Sequence, residues 1–133
     1  MEKDMNCPCG SGKQYKDCCK IAHDDINDVV TAEQLMRSRY SAYVLADSEY
    51  LHKSHHSKTR PKSRGERRET IKWAKAVDWK GLEIIQKQQG LEGDNFGVVE
   101  FKAYFMERGK PSVIHEKSTF EKENGHWVYK DAL

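Results

Sequence analysis

Residues 7–19 read CPCGSGKQYKDCC, and this stretch decides how the N-terminal part of the chain folds. It holds all four cysteines of the 133-residue protein, in two close pairs: Cys7, Cys9, Cys18 and Cys19. The glycines between the pairs favour a turn that brings the pairs together. Four thiolates that converge on one point suit a tetrahedral, soft-ligand ion, and Zn²⁺ is the commonest such ion in proteins. We therefore predict a zinc site with these four ligands.

The cysteine spacing by itself leaves two alternatives open. The pairs are C-x-C and C-C rather than the C-x2-C of common zinc ribbons, so disulfides or metal-free thiols also fit the spacing. Disulfides need an oxidising compartment, which nothing in the sequence indicates. Unrelated thiols are not expected to cluster within thirteen residues. His23 is a further ligand type nearby, but a four-cysteine site is complete without it.

Length and composition limit the rest of the protein. The chain has a net charge of +2, and 33% of its residues are charged, so the total charge favours no particular partner. It contains neither an apolar run long enough to span a bilayer nor the hydrophobic core of a signal peptide. These features predict a cytoplasmic protein with a zinc module at residues 1–22 and one α+β domain at residues 27–133.

Helical patterns occupy the middle of the chain. Thr31 and the glutamine three residues later form a capping box, and apolar residues then recur at three- and four-residue steps. Asp47 can cap a second, short helix, and Ser63 can cap a third. We predict the two longer helices near residues 31–46 and 64–76.

The period changes to alternation after Trp79, which indicates β-strands. Residues 97–105 and 112–121 each alternate between apolar and polar side chains, and Asn124-Gly125 is the strongest hairpin signal in the chain. Helices followed by hairpin-linked strands predict an α+β fold with a curved antiparallel sheet of four strands packed on the helices. The expected register turns four aromatic side chains toward the helices: Phe101, Phe105, Phe120 and Trp127.

Residues 53–72 form the most basic stretch, with eight lysines and arginines against two glutamates. A solvated loop that leads into an exposed helix explains this composition. Contact with RNA or the ribosome through phosphates is the alternative. No aromatic residue is interleaved for base stacking, so the first interpretation is favoured.

The cysteine-rich stretch resembles the SEC-C motif, the zinc module at the C-terminus of the SecA translocation ATPase. That motif reads C-P-C-G-S-G-K-x-[YF]-K-x-C-[CH], and every position is present in residues 7–19, with Cys19 where SecA has histidine. In SecA the motif is an interaction surface for the SecB chaperone. The resemblance implies a protein partner here, such as a SecB-like chaperone or a translocation or ribosome component. The implied contact patch contains Lys13, Tyr15, Lys16 and Lys20.

Further segments resemble the bacterial YchJ family. They are LMRSRYSAY at 35–43, D-x-x-Y-L at 47–51, D-W-x-G-L at 78–82, E-x-S-x-F at 116–120 and N-G-x-W-x-Y-x-D at 124–131. The resemblance implies a cone-shaped domain like nuclear transport factor 2 behind the SEC-C motif. Two features differ from the family pattern: the sequence carries no second SEC-C motif, and His55 replaces the tryptophan common at that position. The family supplies no established activity.

A pocket inside the cone is the second functional hypothesis, for binding a small molecule or for catalysis. The residues expected to line it are Arg39, Tyr40, Tyr43, Tyr50, Trp79, Phe101, Phe105, Glu116 and Trp127. Alternation points Glu116 inward, and a buried carboxylate must be paired or protonated, so we expect an ion pair with Arg39 or, failing that, Arg37. No His-Asp pair or nucleophile motif accompanies it, so an enzyme is the less favoured reading.

Overall fold

Four helices precede four strands in the computed structural model, which describes residues 5–133. Residues 1–4 of the predicted zinc module therefore lie outside the described residues. The helices are α1 (Cys19–Asp24), α2 (Ala32–Leu45), α3 (Ser48–Lys53) and α4 (Arg64–Ala76). The strands are β1 (Asp78–Gln89), β2 (Phe96–Glu107), β3 (Lys110–Glu123) and β4 (His126–Ala132). This order confirms the predicted α+β fold.

Short polar side chains fix where three helices begin. Thr31, Asp47 and Ser63 each accept a hydrogen bond from the backbone N–H three residues later, at 3.1, 3.0 and 3.2 Å. Each bond satisfies a donor that has no partner inside its helix. Helix α2 ends where Ala46 adopts a left-handed conformation with φ of 57°. The predicted caps of all three helices are confirmed.

The strands form one antiparallel sheet in the order β1-β2-β3-β4. Register shifts after Trp79 and Ile84 interrupt the pairing of β1 with β2, and such bulges bend a sheet. The four aromatic side chains predicted to face the helices are each at most 7% exposed. The period of two along the strands therefore fixed the register correctly.

Two glycines bring the first hairpin against the start of α2. A Cβ on Gly90 would lie 2.7 Å from the Cβ of Ala32, and one on Gly97 would lie 2.6 Å from the Cα of Gly90. The Ala32 N–H donates to the Gly90 carbonyl at 2.9 Å. Any larger side chain at these glycines would push the hairpin away from the helix.

One hydrophobic core joins the sheet, helix α2 and the N-terminal segment. Cys7, Cys9 and Cys19 belong to the same buried cluster as Leu35 and Phe120. The cysteine-rich segment therefore packs on α2 and shares its core. None of the helices within residues 5–133 is long and apolar enough to cross a membrane.

Candidate metal centre and internal cavity

A tight turn brings the two cysteine pairs together. The Cys7 N–H donates to the Lys13 carbonyl at 2.9 Å, and the Gly10 N–H donates to the Cys7 carbonyl at 3.2 Å. Gly10 and Gly12 have φ values of 79° and 88°, which only glycine adopts without strain. The second pair lies at the start of α1, where Cys19 is the first helical residue. The local sequence thus builds both halves of the site.

The four sulfur atoms lie within 4.8 Å of one another, and no disulfide joins them. Cys9 Sγ and Cys18 Sγ are 3.6 Å apart. A tetrahedral ion with metal–sulfur bonds of about 2.3 Å holds its sulfurs about 3.8 Å apart, so this donor set fits such an ion. Cys7, Cys9 and Cys19 are at most 5% exposed, and Cys18 is partly exposed. Four cysteines form a closed metal site, which leaves no ligand position for substrate.

The pKa values of the clustered thiols also agree with a cation bound between them. Hydrogen bonding to Cys7 raises the pKa of Cys19, and burial raises the pKa of Cys18. Hydrogen bonds from the other thiols, led by Cys19, lower the pKa of Cys7. The cluster by itself therefore resists the loss of all four protons, and a bound cation is what would stabilise four thiolates together.

Arg37 fastens the cysteine segment to α2. Its Nη1 donates to the Cys9 carbonyl at 2.8 Å, and its Nε donates to Glu33 Oε2 at 2.9 Å. Ser41, one turn further along the helix, places its Oγ 3.6 Å from Cys7 Sγ. Arg37 is thus partly exposed, and it pairs with Glu33 rather than with Glu116.

His23 forms a second link between the segment and α2, and it is not one of the clustered metal ligands. Its Nε2 donates to the Ser38 carbonyl at 2.8 Å, so its Nδ1 accepts from the Tyr15 hydroxyl at 2.6 Å. Burial lowers the pKa of His23, in agreement with this neutral tautomer. Sequence reasoning missed this role because the partners lie far apart in the chain.

The residues of the implied contact patch differ in their accessibility. Lys13 and Lys16 are exposed and form no ion pair within residues 5–133. Lys20 Nζ lies 2.7 Å from Asp24 Oδ2. The Tyr15 hydroxyl is occupied by His23. Only the first two lysines thus present an uncommitted charge to solvent.

A cavity of about 270 Å³ lies between α2, α4 and the inner face of the sheet. Six of the residues predicted to line a pocket are in its wall: Arg39, Tyr40, Tyr43, Trp79, Phe101 and Glu116. Six more were not predicted: Met36, His55, Trp73, Ala103, Ile114 and Tyr129. The unpredicted residues belong to several elements, and their shared position depends on how those elements pack.

Three predicted lining residues lie elsewhere. Tyr50 is buried beside α2 and shares a 2.6 Å hydrogen bond with Ser38 Oγ. Phe105 packs edge-on against Trp73, with ring centroids 5.5 Å apart. Trp127 is fully buried and donates from Nε1 to the Val30 carbonyl at 3.1 Å. Their inward direction was correct, but packing neighbours fill the space around them.

The predicted ion pair between Glu116 and Arg39 is wrong. Arg39 Nη1 donates to the Leu51 carbonyl at 2.9 Å and to Ser54 Oγ at 2.8 Å. Tyr129 contacts both charged groups. Its ring lies 5.0 Å from the Arg39 guanidinium carbon, and its hydroxyl donates to Glu116 Oε2 at 3.1 Å.

Glu116 Oε2 also accepts a hydrogen bond from Ser118. The carboxylate is half-buried rather than fully enclosed. Hydroxyl donors and partial exposure therefore replace the ion pair that a fully buried acid would need.

A histidine with two carboxylate neighbours forms a further cluster that sequence reasoning missed. His56 is buried, and its Nε2 lies 3.1 Å from Glu121 Oε2. Its Nδ1 accepts from the Lys58 N–H at 3.1 Å. Glu123 accepts from the Ser57 N–H at 3.0 Å. These contacts fasten the loop after α3 to β3.

Helix α4 presents a row of positive charge. Arg64, Arg68, Lys72 and Lys75 are exposed and recur at three- and four-residue steps, so they share one side of the helix. Together with Arg67 they line an open groove of about 570 Å³. None of these five cations forms an ion pair within the described part of the chain.

Comparison with known proteins gives two family matches that together span most of the chain. Residues 6–20 match the SEC-C motif, and residues 31–132 match the model described as YchJ, middle NTF2-like domain. A UPF0225 protein of Vibrio parahaemolyticus is 45% identical over 126 residues, which cover 95% of this chain and 73% of that protein. A UPF0225 protein of Geobacter sulfurreducens is 37% identical over 125 residues, which cover 94% and 76%.

Two solved structures share the fold. The solution structure of a SEC-C motif containing protein from Rhodopseudomonas palustris has a TM-score of 0.78 and 32% identity, over 97% of this chain and 98% of that one. The crystal structure of a SEC-C motif containing protein from Psychrobacter arcticus also has a TM-score of 0.78 and 32% identity, over 98% and 84%. The sequence matches and the shared fold agree: this chain belongs to the YchJ family, with a SEC-C motif in front of a nuclear-transport-factor-2-like domain.

Proposed function

We propose that this protein binds one structural Zn²⁺ ion and uses the zinc-stabilised segment to contact an acidic protein partner. The observation that carries the proposal is the closed cluster of four thiols within 4.8 Å. An all-sulfur tetrahedral set favours zinc among the common cellular cations. The absence of an open ligand position argues for a structural rather than a catalytic ion.

Charge and exposure support the contact surface. Lys13 follows the turn between the cysteine pairs, and Lys16 lies in the following single helical turn, so the metal would hold both in place. Both are exposed and unpaired within residues 5–133. Beside them, a groove of about 460 Å³ runs between the cysteine segment and α2, and Ile21 in its wall is 46% exposed. A partner segment would place carboxylates against Lys13 and Lys16 and an apolar side chain against Ile21. Its carboxylates would have to stay clear of Asp17, Asp28 and Glu33, which lie in the same groove wall.

Metal identity and partner binding need separate tests. Elemental analysis of protein purified without added metal should give about one equivalent of zinc. Replacement with Co²⁺ should give the visible absorption spectrum of a tetrahedral sulfur site. Substoichiometric zinc with another metal in its place would overturn the assignment. A disulfide among the cysteines in protein kept reduced would overturn it as well.

Partner binding is tested with purified SecB, the partner that the SecA resemblance implies. Zinc-loaded protein should bind SecB, and a Lys13→Glu/Lys16→Glu variant should lose that binding. A Lys72→Glu/Lys75→Glu variant has the same charge change on α4 and should retain it. Equal loss in both variants would show that total charge, and not the zinc-stabilised surface, governs the contact.

The row of cations on α4 favours RNA as a second candidate partner. Arg64 and Lys75 are about 16 Å apart along the helix axis, a length that spans several phosphates of a single strand. Four phosphate contacts would give a slope of about −3 in log K against log salt concentration. The two charge-reversal variants then exchange roles: the α4 variant should lose binding to an RNA oligonucleotide, and the Lys13/Lys16 variant should keep it.

A further inference from the structure

Arg39 is a buried cation with unused hydrogen-bond donors. Its side chain lies in the wall of the internal cavity, and the residue is only 5% exposed. Nη1 donates to Leu51 and Ser54, whereas Nε and Nη2 have no acceptor among residues 5–133 and are open to the solvent in the cavity. No carboxylate of the described chain lies within ion-pair distance of the guanidinium. A buried guanidinium that lacks a carboxylate partner favours a carboxylate ligand, whose two oxygens match its planar N–H donors.

Glu116 offers the opposite charge in the same cavity. Both hydroxyl donors, from Ser118 and Tyr129, bond to Oε2. Oε1 receives no hydrogen bond from the described residues. The Glu116 carboxylate therefore retains an acceptor for a ligand N–H, and a cationic ammonium is the donor that complements its charge.

The rest of the cavity wall is apolar and aromatic. Tyr40 and Tyr43 of α2 meet Trp79 of β1 at centroid distances of 5.6 and 5.9 Å. Phe101 and Ile114 continue the wall along the sheet. Aromatic rings accommodate both an apolar body and a neighbouring cation.

His55 adds no charge to this wall at neutral pH. Burial and then the nearby Arg39 lower its pKa to about 3. The charged groups that line the cavity are therefore Arg39 and Glu116.

We propose that the cavity binds a small zwitterion with an apolar body, of the α-amino acid class, with its carboxylate on Arg39 and its ammonium on Glu116. A simple carboxylate would pair with Arg39 but would be repelled by the negative charge of Glu116. A simple amine would pair with Glu116 but would be repelled by the positive charge of Arg39. The zwitterion complements both groups, and its side chain packs on the aromatic wall. This site is separate from the metal centre and independent of the proposed partner contact.

The experiment compares three compounds with one ring system: L-phenylalanine, 3-phenylpropanoate, which lacks the amine, and 2-phenylethylamine, which lacks the carboxylate. L-leucine serves as a smaller amino acid. Each is titrated into the full zinc-loaded chain by protein-observed NMR and calorimetry. At least one amino acid should bind at least about tenfold more tightly than both single-charge analogues. The shifted signals should include Trp79 and Tyr129.

Glu116→Gln isolates the ammonium contact. Glutamine keeps an acceptor for the hydroxyls of Ser118 and Tyr129, so the fold is expected to remain intact. The variant should bind the amino acid about tenfold more weakly than the unmodified protein does. It should bind 3-phenylpropanoate at least as tightly as the unmodified protein does. Glu100→Gln is the matched control, because Glu100 lies on the neighbouring strand and bonds to His115 and Gln86 on the outer face.

Three results would overturn the proposal. The first is failure of both amino acids to bind with a Kd below about 1 mM. The second is binding of either single-charge analogue as tightly as the amino acid. The third is equal weakening of amino-acid binding by Glu100→Gln and Glu116→Gln, which would show that Glu116 has no specific contact with the ligand.

Discussion

Arg37 Nη1 donates a hydrogen bond to the main-chain carbonyl of Cys9 at 2.8 Å, and this bond joins the centre of the cysteine cluster to the central helix. Cys9 is fully buried. The cysteine cluster and the domain behind it are therefore parts of one packed unit, although the sequence divides them into a motif and a domain.

Loss of the metal should loosen α2 as well as the cysteine segment. The segment has few apolar contacts apart from the shared core, so the metal is expected to hold its fold. We expect chelation to unfold residues 5–24, to speed amide exchange in the first turns of α2, and to leave the sheet folded. Amide hydrogen exchange is measured before chelation, after chelation and after zinc is restored. Unchanged exchange in α2 would show that the segment and the helix are energetically independent.

Substitution of Arg37 should weaken both stability and metal affinity. Arg37→Met leaves the buried Cys9 carbonyl without its donor, a loss of about 1–3 kcal/mol in the free energy of unfolding. Metal affinity should fall because the Cys9 backbone is less well positioned. Urea denaturation and competition with a zinc chelator measure the two effects. Lys16→Met is the control, since Lys16 is exposed and its substitution should change neither stability nor metal affinity. If Arg37→Met changes these quantities no more than Lys16→Met does, Arg37 does not stabilise the cysteine cluster.

Arg39 and Glu116 should differ strongly in their contribution to stability. Arg39→Met removes the guanidinium that donates to Ser54 Oγ and to the Leu51 carbonyl, and leaves that carbonyl only the 3.4 Å bond from Ser54 Oγ. We expect a loss of about 2–4 kcal/mol in the free energy of unfolding. Glu116→Gln preserves an acceptor for its two hydroxyl donors and should cost about 1 kcal/mol or less. Urea denaturation of both variants tests the order. Equal, large losses would indicate that the two side chains do form a buried pair in solution.

Stability should fall below about pH 6 because of His55. Its pKa is lowered from 6.5 to about 3 in the folded protein, first by burial and then by Arg39, Arg60, His52 and His56. The unfolded chain therefore binds a proton between these values that the folded chain does not. Stability from this group is complete above pH 6.5 and is lost as the pH falls toward 3.

The contribution of His55 to the free energy of unfolding falls by at most about 1.4 kcal/mol per pH unit. The actual fall is smaller than this limit, because water reaches part of the ring. Denaturation curves between pH 7 and 4 for the unmodified protein and for His55→Gln separate this contribution from that of the carboxylates. The variant should have the shallower dependence. Parallel curves for the two proteins would contradict the lowered pKa.

Features that depend on residues close together in the chain could be predicted from the sequence. The cysteine spacing and its glycines predicted the cluster, the polar residues before each helix predicted the caps, and the period of two with Asn124-Gly125 predicted the sheet and its inner face. Each of these follows from backbone geometry over a few residues, which the sequence displays directly. They sufficed for the fold and for the cluster of four cysteines.

The groups that Arg37 and Arg39 contact could not be predicted in this way, because they depend on how α2 packs. Residues two apart on a helix point about 200° from each other, so one arginine turns to Cys9 and the other to the end of α3. Which one turns which way depends on the rotation of α2 about its axis, and packing against the sheet and the cysteine segment sets that rotation. The same packing brings Tyr129 between the two charged groups of the cavity and leaves Arg39 without the carboxylate that the sequence led us to expect.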